Sequence, residues 1–198
     1  MMKHSIHNGS NDHVIIHLHG TGGDAAGLLG LGQMIDPNAT LVGIDGDVFE
    51  NGMRRYFKRY PDGSFDLESL HENTQKLFDT IQHVLTHYML DGYTISVLGY
   101  SNGANIAQNL IKENEVTIDN LILYHPSPTR MDVPFKKQEN LRVFMTGGKQ
   151  DPFISKDDFK TIQKHLKDAD IKVKTFVHDG GHELIHEEIM ETKAFINK

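Results

Sequence analysis

Short apolar runs alternate along the chain with longer segments whose apolar positions recur at helical spacing. The runs are rich in β-branched and apolar residues with Gly or Asp at their boundaries, which is typical of buried parallel strands. They cover 13–20, 39–45, 93–101, 119–125, 141–147 and 171–178. The amphipathic segments predict helices over 66–90, 103–113, 155–168 and 183–197. Alternating strands and helices predict an α/β fold with a mostly parallel sheet of six or seven strands flanked by helices.

Local signals refine this pattern. Residues 7–10, His-Asn-Gly-Ser, predict the turn of an N-terminal hairpin. Ser155 is a candidate N-cap, with Asp157 and Asp158 in the first turn of the helix that follows. Residues 46–65 form the longest irregular stretch, and loops of that length are commonly functional. With no repeat and no linker, the chain is expected to form a single domain over 1–198.

Composition narrows the possible partners. A chain of 198 residues with 24% charged and 38% hydrophobic residues is typical of a globular protein with a sizeable core. The net charge of -7 argues against nucleic acid and against anionic membrane as partners. The absence of cysteine excludes disulfides, thiolate nucleophiles and cysteine-ligated metals. The N-terminus lacks the apolar core of a signal peptide, and no run approaches the ~20 residues of a membrane span, so a cytoplasmic protein is expected.

The segment Gly99-Tyr100-Ser101-Asn102-Gly103 matches G-x-S-x-G. It follows a predicted strand and precedes a predicted helix, which is the context that a nucleophile elbow requires. In such an elbow the serine sits on a sharp turn with its hydroxyl exposed at the carboxyl edge of the sheet. An ordinary glycine-rich turn is the alternative interpretation.

A second strand end, residues 17–24 (His-Leu-His-Gly-Thr-Gly-Gly-Asp), also enters a loop. Acyl transfer requires backbone N–H groups aimed at a developing oxyanion. In a fold with a nucleophile elbow, one N–H comes from the residue after the nucleophile and one from an early strand–helix loop. We therefore predict Asn102 and Thr21 as the two donors. A phosphate-cradling loop is the alternative, but no G-x-G-x-x-G or Walker pattern follows.

An acid and a base should follow the serine in the order Ser, Asp, His. Asp151 comes directly after the fifth predicted strand, and His182 directly after the sixth. Ligand sites of open α/β sheets gather at these carboxyl ends. His182 would take the Ser101 proton, and Asp151 would fix its tautomer. The alternatives are a turn residue before proline for Asp151 and a solvated loop histidine for His182.

Taken together, these motifs make the chain resemble the α/β-hydrolases, and within them the small phospholipase/carboxylesterase group that includes acyl-protein thioesterases. The resemblance spans nearly the whole chain, from residues 17–24 through the elbow and Gly148-Lys149-Gln150-Asp151-Pro152 to Gly180-Gly181-His182. Residues 46–59 and the elbow resemble a sub-branch often associated with ring-cleaving dioxygenases or quinone-stress genes. Asn102 replaces the glutamine typical of the thioesterases, which argues against long acyl-thioester substrates.

The expected site is open. Only residues 125–140 separate the fourth and fifth predicted strands, where many α/β-hydrolases insert a helical cap, so no cap domain is expected. Residues 46–65 could form the rim, where Arg54, Arg55 or Arg59 could bind an anionic group bidentately. Surface ion pairs are the alternative for each arginine. Phe49, a further rim candidate, is expected to serve mainly in packing, as are Tyr56 and Phe57.

The string His182-Glu183-Leu184-Ile185-His186 also matches the H-E-x-x-H motif of zinc peptidases. That motif places both histidines on one helix and requires a third protein ligand. Gly180 and Gly181 instead favour a loop before His182, with a helix beginning at Glu183. The chain has 13 histidines, but strand and loop histidines commonly bond to backbone, so no metal site is predicted.

The sequence therefore predicts a serine carboxylesterase with the triad Ser101, Asp151 and His182, acting on a small-molecule ester without a cofactor. The alternatives are a thioesterase or lysophospholipase, a C–C hydrolase of ring-fission products, a non-catalytic binding module and a zinc peptidase. The oligomeric state is left open, with a homodimer among the possibilities.

Overall fold

The computed structural model describes residues 1–197. Its strands are β1 (His4–His7), β2 (His13–Leu18), β3 (Thr40–Ile44), β4 (Val48–Glu50), β5 (Met53–Arg55), β6 (Thr94–Tyr100), β7 (Asn120–Tyr124), β8 (Arg142–Gly148) and β9 (Lys172–His178). Its helices are α1 (Leu29–Ile35), α2 (Leu67–His87), α3 (Asn102–Glu113), α4 (Lys156–Asp168) and α5 (His186–Ile196). The six predicted strands correspond to β2, β3, β6, β7, β8 and β9.

The main sheet has seven strands in the order β1-β3-β2-β6-β7-β8-β9. All neighbours in it are parallel except β1, which pairs antiparallel with β3. The carboxyl ends of six strands therefore meet along one edge of the sheet. The predicted fold class, a mostly parallel sheet of six or seven strands flanked by helices, is confirmed.

Helices cover both faces of the sheet, because alternate side chains of the buried strands point to opposite faces. On one face Val14, Ile16 and Leu18 of β2 pack with apolar residues of α2, α3 and α4. On the other face Ile15 packs in a smaller cluster with residues of α1 and α5. Strand β2 is buried throughout, as expected for a central strand of a sheet covered on both sides.

Side-chain caps fix the start of two helices. Asp66 accepts a hydrogen bond from the Ser69 N–H at 3.0 Å at the start of α2. The predicted N-cap Ser155 accepts from the Asp158 N–H at 3.1 Å, and the Asp158 carboxylate accepts in return from the Ser155 N–H at 3.1 Å. The reciprocal pair sets the start of α4 and the path of the loop that carries Asp151.

The structure differs from the sequence predictions in three places. Strand β1 pairs with β3, so residues 7–10 do not turn a hairpin between β1 and β2. Helix α5 begins at His186 and not at Glu183, which lies in the preceding turn. Helix α1 was not predicted, because it is short and contains two glycines, Gly30 and Gly32.

Residues 46–65 are more ordered than the sequence indicated. Strands β4 and β5 form a separate two-stranded hairpin, and Arg59 bridges to Phe65 beyond it. Tyr56 and Phe57 are completely buried, which confirms their packing role. The same prediction is wrong for Phe49, which is 67% exposed at the edge of the hairpin.

The connection between β7 and β8 contains no helix within the described residues, so no cap domain covers the carboxyl edge of the sheet. Among the five helices of residues 1–197, none combines the length and the apolar character needed to cross a membrane.

His17 is a buried ionisable group in the middle of β2. Helix α1 lies directly over it, since a Cβ at Gly32 would collide with the His17 ring. Burial lowers the pKa of His17 to about 4, against a smaller raising effect from the Val42 backbone. The folded protein therefore keeps this imidazole neutral at a pH where an unfolded chain would protonate it.

We expect His17 to make the fold acid-sensitive. As pH falls from 6.5 towards 4, the unfolded state binds a proton that the folded state does not, so the free energy of unfolding decreases. Over the whole range from pH 6.5 to 4, the free energy of unfolding should decrease by about 3 kcal/mol because of this one group. Urea unfolding across this pH range should show a shallower pH dependence for His17→Gln than for the wild type. The exposed His186→Gln serves as control, and equal slopes in all three proteins would contradict this expectation.

Candidate active site

Ser101 lies on a strained turn between β6 and α3. Its backbone has φ 53° and ψ -112°, in the left-handed half of conformational space that residues other than glycine rarely adopt. Gly103 allows the turn to pack against β2, because a Cβ there would collide with the Leu18 carbonyl. The turn lifts the Ser101 side chain out of the sheet edge, as the elbow motif predicts.

The three residues predicted as a triad lie within hydrogen-bond distance of one another. His182 Nε2 is 2.9 Å from Ser101 Oγ, and His182 Nδ1 is 2.7 Å from Asp151 Oδ2. The Asp151 carboxylate is 1% exposed and the His182 side chain 19% exposed, and Ser101 is half-buried. The three hydrogen-bonded residues thus run from the protein interior towards the surface. With Nδ1–H donating to the carboxylate, Nε2 is left to accept the serine proton.

Neighbouring groups hold Asp151 and His182, the predicted acid and base, in place. The Tyr100 hydroxyl donates to the His182 carbonyl at 2.8 Å, which fixes the loop after β9. The Phe153 N–H donates to Asp151 Oδ1 at 2.9 Å. The Phe153 ring stands edge-on to His182 with 5.0 Å between ring centroids, and it is 70% exposed. Phe153 thus forms an apolar wall beside the base.

The environment keeps Asp151 ionised. Burial raises the pKa of its carboxyl, but hydrogen bonds from His182, the Phe153 N–H and His125, together with the charge of His182, outweigh it. The net effect is a pKa below the usual range. An ionised Asp151 can stabilise positive charge that forms on His182.

The predicted oxyanion donors lie at adjoining strand ends. The loop after β2 packs on the elbow, since a Cβ at Gly20 would press on the Tyr100 ring. Within residues 1–197, the backbone N–H groups of Thr21 and Asn102 donate to no protein acceptor. Both are therefore free to bind an oxyanion.

The β4–β5 hairpin supports this loop. The Gly22 N–H donates to the Arg54 carbonyl at 2.8 Å, and the Arg55 guanidinium reaches Thr21 Oγ1 at 3.3 Å. The Tyr56 N–H donates to the buried Asn102 Oδ1 at 2.7 Å. The hairpin thereby connects the residues proposed as oxyanion donors.

The rim arginines also contact carboxylates of the protein. Arg54 Nη1 lies 3.6 Å from Asp45 Oδ2, and Arg55 Nη1 lies 3.4 Å from Glu50 Oε2. The Arg54 side chain is 31% exposed, whereas that of Arg55 is 11% exposed. Arg54 is thus the more accessible of the two for an anionic group, with the exposed Phe49 ring 5.8 Å from its guanidinium carbon.

A cavity of about 490 Å³ lies between β9 and α4. Its walls include Asp151, Phe159 and Val177, but not Ser101 or His182. The cavity therefore borders the predicted acid but not the predicted nucleophile or base.

The zinc-peptidase interpretation does not fit the fold. His182 lies in a loop, whereas His186 is the first residue of α5 and is exposed. The two histidines do not share a helical face, and His182 Nε2 faces Ser101.

Two sets of side chains are close enough for one metal ion: His125 with Asp151 and His182, and His125 with His178 and Glu188. The potential ligand atoms of each set lie within 4.8 Å of one another. In the first set, hydrogen bonds between ring nitrogens and the Asp151 carboxylate account for the short distances. In the second set His125 bonds Glu188, and His178 Nε2 lies 3.5 Å from His125 Nε2 and 3.6 Å from Glu188 Oε2.

Sequence reasoning missed His125 and Glu188, which lie behind Asp151. His125 follows β7 directly, at the same sheet edge as Asp151 and His182, so its position was a usable signal. Glu188 is inside α5, and nothing in the local sequence distinguishes it from the other acidic residues of that helix.

A mostly parallel sheet with a strained serine turn at its carboxyl edge is the architecture of the α/β-hydrolases, and the resemblance to that superfamily is confirmed. A profile of the dienelactone hydrolase family matches residues 53–189. The chain belongs to the dienelactone hydrolase family. It is a hydrolase of the dienelactone hydrolase and carboxylesterase type.

Individual relatives agree with this assignment. MhqD of Bacillus subtilis (strain 168), provisionally named a hydrolase, is 39% identical over 195 residues, which are 98% of this chain and 97% of MhqD. A Bacillus cereus carboxylesterase superposes with a TM-score of 0.95 at 33% identity, covering 100% of this chain and 94% of that one. YahD, solved with malic acid, gives a TM-score of 0.91 at 28% identity, covering 100% and 98%.

Proposed function

We propose that the protein is a serine carboxylesterase that cleaves small carboxylic esters through an acyl-enzyme. The observation that carries this proposal is the hydrogen-bonded chain from Ser101 through His182 to Asp151, which begins at a strained elbow. Nucleophile, base and orienting acid are the parts that activate a serine hydroxyl.

The geometry supports a two-step reaction. Ser101 Oγ attacks the ester carbonyl carbon while its proton moves to His182 Nε2. The tetrahedral intermediate then collapses, and protonated His182 gives the proton to the leaving alcohol. Water next attacks the acyl-enzyme, His182 takes the water proton, and Ser101 is released with the acid product. Asp151 holds the His182 tautomer and stabilises its charged form in both steps.

The oxyanion of each tetrahedral intermediate would bind the N–H groups of Thr21 and Asn102. These donors belong to two different strand ends, so their spacing depends on the packing of the β2 loop against the elbow. The β4–β5 hairpin supports that packing through Arg54, Arg55 and Tyr56. Donors held in place before the reaction stabilise developing charge without reorganisation.

Compact acyl or aryl esters are the proposed substrates. The carboxyl edge carries no cap, and the exposed rings of Phe49 and Phe153 offer apolar contact near the site. Arg54 could bind an anionic group of the substrate, in keeping with the malic acid bound in the related YahD. The family name, dienelactone hydrolase, adds cyclic esters to the substrates worth testing.

Labelling and a substrate series test the proposal together. A fluorophosphonate should form a covalent adduct on the peptide containing Ser101, located by mass spectrometry. p-Nitrophenyl esters of increasing acyl length should then show the highest kcat/KM for short chains. An adduct on another residue would refute the mechanism, and rates that rise steadily beyond octanoyl esters would refute the substrate class. Matched thioesters and a ring-fission diketone distinguish the thioesterase and C–C hydrolase alternatives.

A further inference from the structure

A buried cluster of ionisable groups lies behind Asp151, on the side away from Ser101. His125, at the end of β7, and Glu188, in α5, both have side chains with 0% exposure. His178, at the end of β9, is 6% exposed. Buried charges are costly unless they are paired and hydrogen-bonded, so the protonation states here must fit together.

His125 has a carboxylate at each ring nitrogen. Its Nδ1 is 3.1 Å from Asp151 Oδ2, the oxygen that also accepts from His182, and its Nε2 is 3.0 Å from Glu188 Oε1. A neutral imidazole has only one N–H, whereas an imidazolium has two. Two ionised carboxylates at these distances therefore require His125 to be the charged form.

The pKa shifts agree with this geometry. Burial lowers the pKa of His125, but the hydrogen bonds and charges of Glu188 and Asp151 outweigh it, and the net pKa is raised. Burial raises the pKa of Glu188, yet hydrogen bonds, with His125 first among them, bring it below its usual range. Asp151 behaves in the same way. All three groups favour the arrangement of two carboxylates around one imidazolium.

Three further rings surround His125: those of His178, Tyr100 and His182. The His178 ring faces His125, with 3.5 Å between the two Nε2 atoms. The Gly180 N–H donates to His178 Nδ1 at 3.0 Å, so a neutral His178 carries its proton on Nε2, which lies 3.6 Å from Glu188 Oε2. The Tyr100 ring stands edge-on to His125 at 6.1 Å. His182 is the remaining titratable neighbour, with 5.2 Å between the two ring centroids.

The backbone also indicates that His125 is held in place. Its φ is 50°, in the left-handed region, as is that of Ser101. Strained residues of this kind persist only where the surroundings determine them, and they cluster at functional sites. Here the two strained residues end the adjacent strands β6 and β7.

We propose that His125 is a positioning residue that remains an imidazolium between Asp151 and Glu188 and extends the Ser101–His182–Asp151 chain to five groups. This inference rests on the proposed esterase function. Through Asp151, the His125–Glu188 pair fixes the carboxylate that orients His182. Through its charge, His125 disfavours a second positive charge on the His182 ring, whose centroid lies 5.2 Å away.

Glu188→Gln separates charge from geometry. The glutamine carbonyl can still accept from the Ile185 N–H, which bonds Glu188 Oε2 at 2.9 Å in the native protein. Its NH₂ group then faces His125 Nε2, so His125 becomes neutral while Nδ1–H still donates to Asp151. The variant loses the positive charge of His125, beside His182, and the negative charge of Glu188, farther away. Because the nearer charge has the larger effect, positive charge on His182 becomes more favourable.

The pH profile of kcat/KM for a p-nitrophenyl ester tests this consequence. For Glu188→Gln, the acidic limb should move to higher pH by about one unit, given charges ~5 Å apart at an effective dielectric constant of about 20 with partial cancellation. His13→Asn is the matched control, because His13 is a buried histidine bonded to Asp36 at 2.8 Å and lies at the opposite edge of the sheet. The acidic limb of the pH profile of His13→Asn should coincide with that of the wild type. If the Glu188→Gln limb also coincides with the wild type, the proposal is wrong.

NMR spectra of the wild-type histidine rings test the protonation of His125 directly, even if Glu188→Gln folds poorly. Long-range ¹H–¹⁵N spectra of the histidine rings should show one histidine with both nitrogens protonated at a pH where exposed histidines are neutral. His125→Gln should remove that signal. A single protonated nitrogen on His125, or stoichiometric zinc in the protein with a metal-bound His125, would overturn the proposal. Because this measurement needs no activity, it gives its answer even if Ser101 proves not to be the nucleophile.

Discussion

Replacing Ser101 by alanine should lower kcat for ester hydrolysis by roughly 10⁶-fold, because the acyl-enzyme route is removed entirely. The residual rate would come from oxyanion binding and substrate positioning alone, since Thr21 and Asn102 keep their N–H groups. His182 would lose its hydroxyl partner at 2.9 Å but keep its bond to Asp151. The fold should be unaffected, since the Ser101 side chain does not cap α3.

Steady-state kinetics with a short p-nitrophenyl ester measures this loss, and thermal unfolding confirms that the variant is folded. Ser10→Ala is a suitable control, because the exposed Ser10 hydroxyl bonds only to Asn38 at 3.3 Å. It should retain wild-type kcat. A folded Ser101→Ala protein with activity within tenfold of the wild type would exclude the proposed mechanism.

Asp151→Asn should lower kcat by about 10⁴-fold. The asparagine amide would place either an NH₂ group or a carbonyl oxygen against His182 Nδ1, and the NH₂ orientation forces the proton onto Nε2, which can then no longer accept from Ser101. His125 makes this orientation worse, because its Nδ1–H points at the same oxygen, Asp151 Oδ2. The opposite orientation leaves the amide oxygen facing both histidines but turns the NH₂ group against the Phe153 N–H, which donates to Asp151 Oδ1 at 2.9 Å in the native protein.

The kinetic loss should appear in kcat with little change in KM, because Asp151 is buried and does not contact the substrate. Asp179→Asn is the control, since the Asp179 carboxylate is 86% exposed and pairs with Lys149 at the surface. Asp157→Asn, in the first turn of α4, is a second control. If either control proves to be the damaging change while Asp151→Asn remains active, the acid of the triad is wrongly assigned.

Parallel strands were the most predictable part of the fold. A central strand such as β2 is buried on both faces and so reads as an uninterrupted apolar run. The antiparallel pairing of β1 with β3 was not predictable in this way. It depends on long-range contacts, among them the bond from the Gly9 N–H to Thr40 Oγ1 at 3.0 Å, which no local pattern encodes.

The predicted start of α5 was wrong because local sequence signals competed with tertiary packing. The helical spacing extends back to Glu183, but the loop before α5 is held by Tyr100 and by the bond from the Gly181 N–H to Glu183 Oε1 at 3.1 Å. The helix therefore starts only at His186. Tertiary contacts with the elbow determine this end, and they are not visible in a window of sequence.

The candidate triad could be predicted because topology places it: each of Ser101, Asp151 and His182 follows a parallel strand, and such strands end at one edge. His125 satisfies the same rule but was overlooked, since no motif accompanies it. Glu188 reaches the cluster from a helix, so only the packing of α5 against the sheet reveals it. Sequence motifs thus indicate the proposed triad, whereas His125 and Glu188 are recognised only once the packing of the folded chain is known.

The place of β9 at the edge of the sheet has a consequence for how the protein loses function. The elbow follows β6, which is held by a partner strand on each side, whereas His182 follows β9, which pairs only with β8. Edge elements open locally at a lower free-energy cost than central ones. Transient detachment of β9 would therefore move His182, the proposed base, away from Ser101 while the elbow stays intact. Heat or denaturant should then inactivate the enzyme by local opening before the cooperative unfolding of its core.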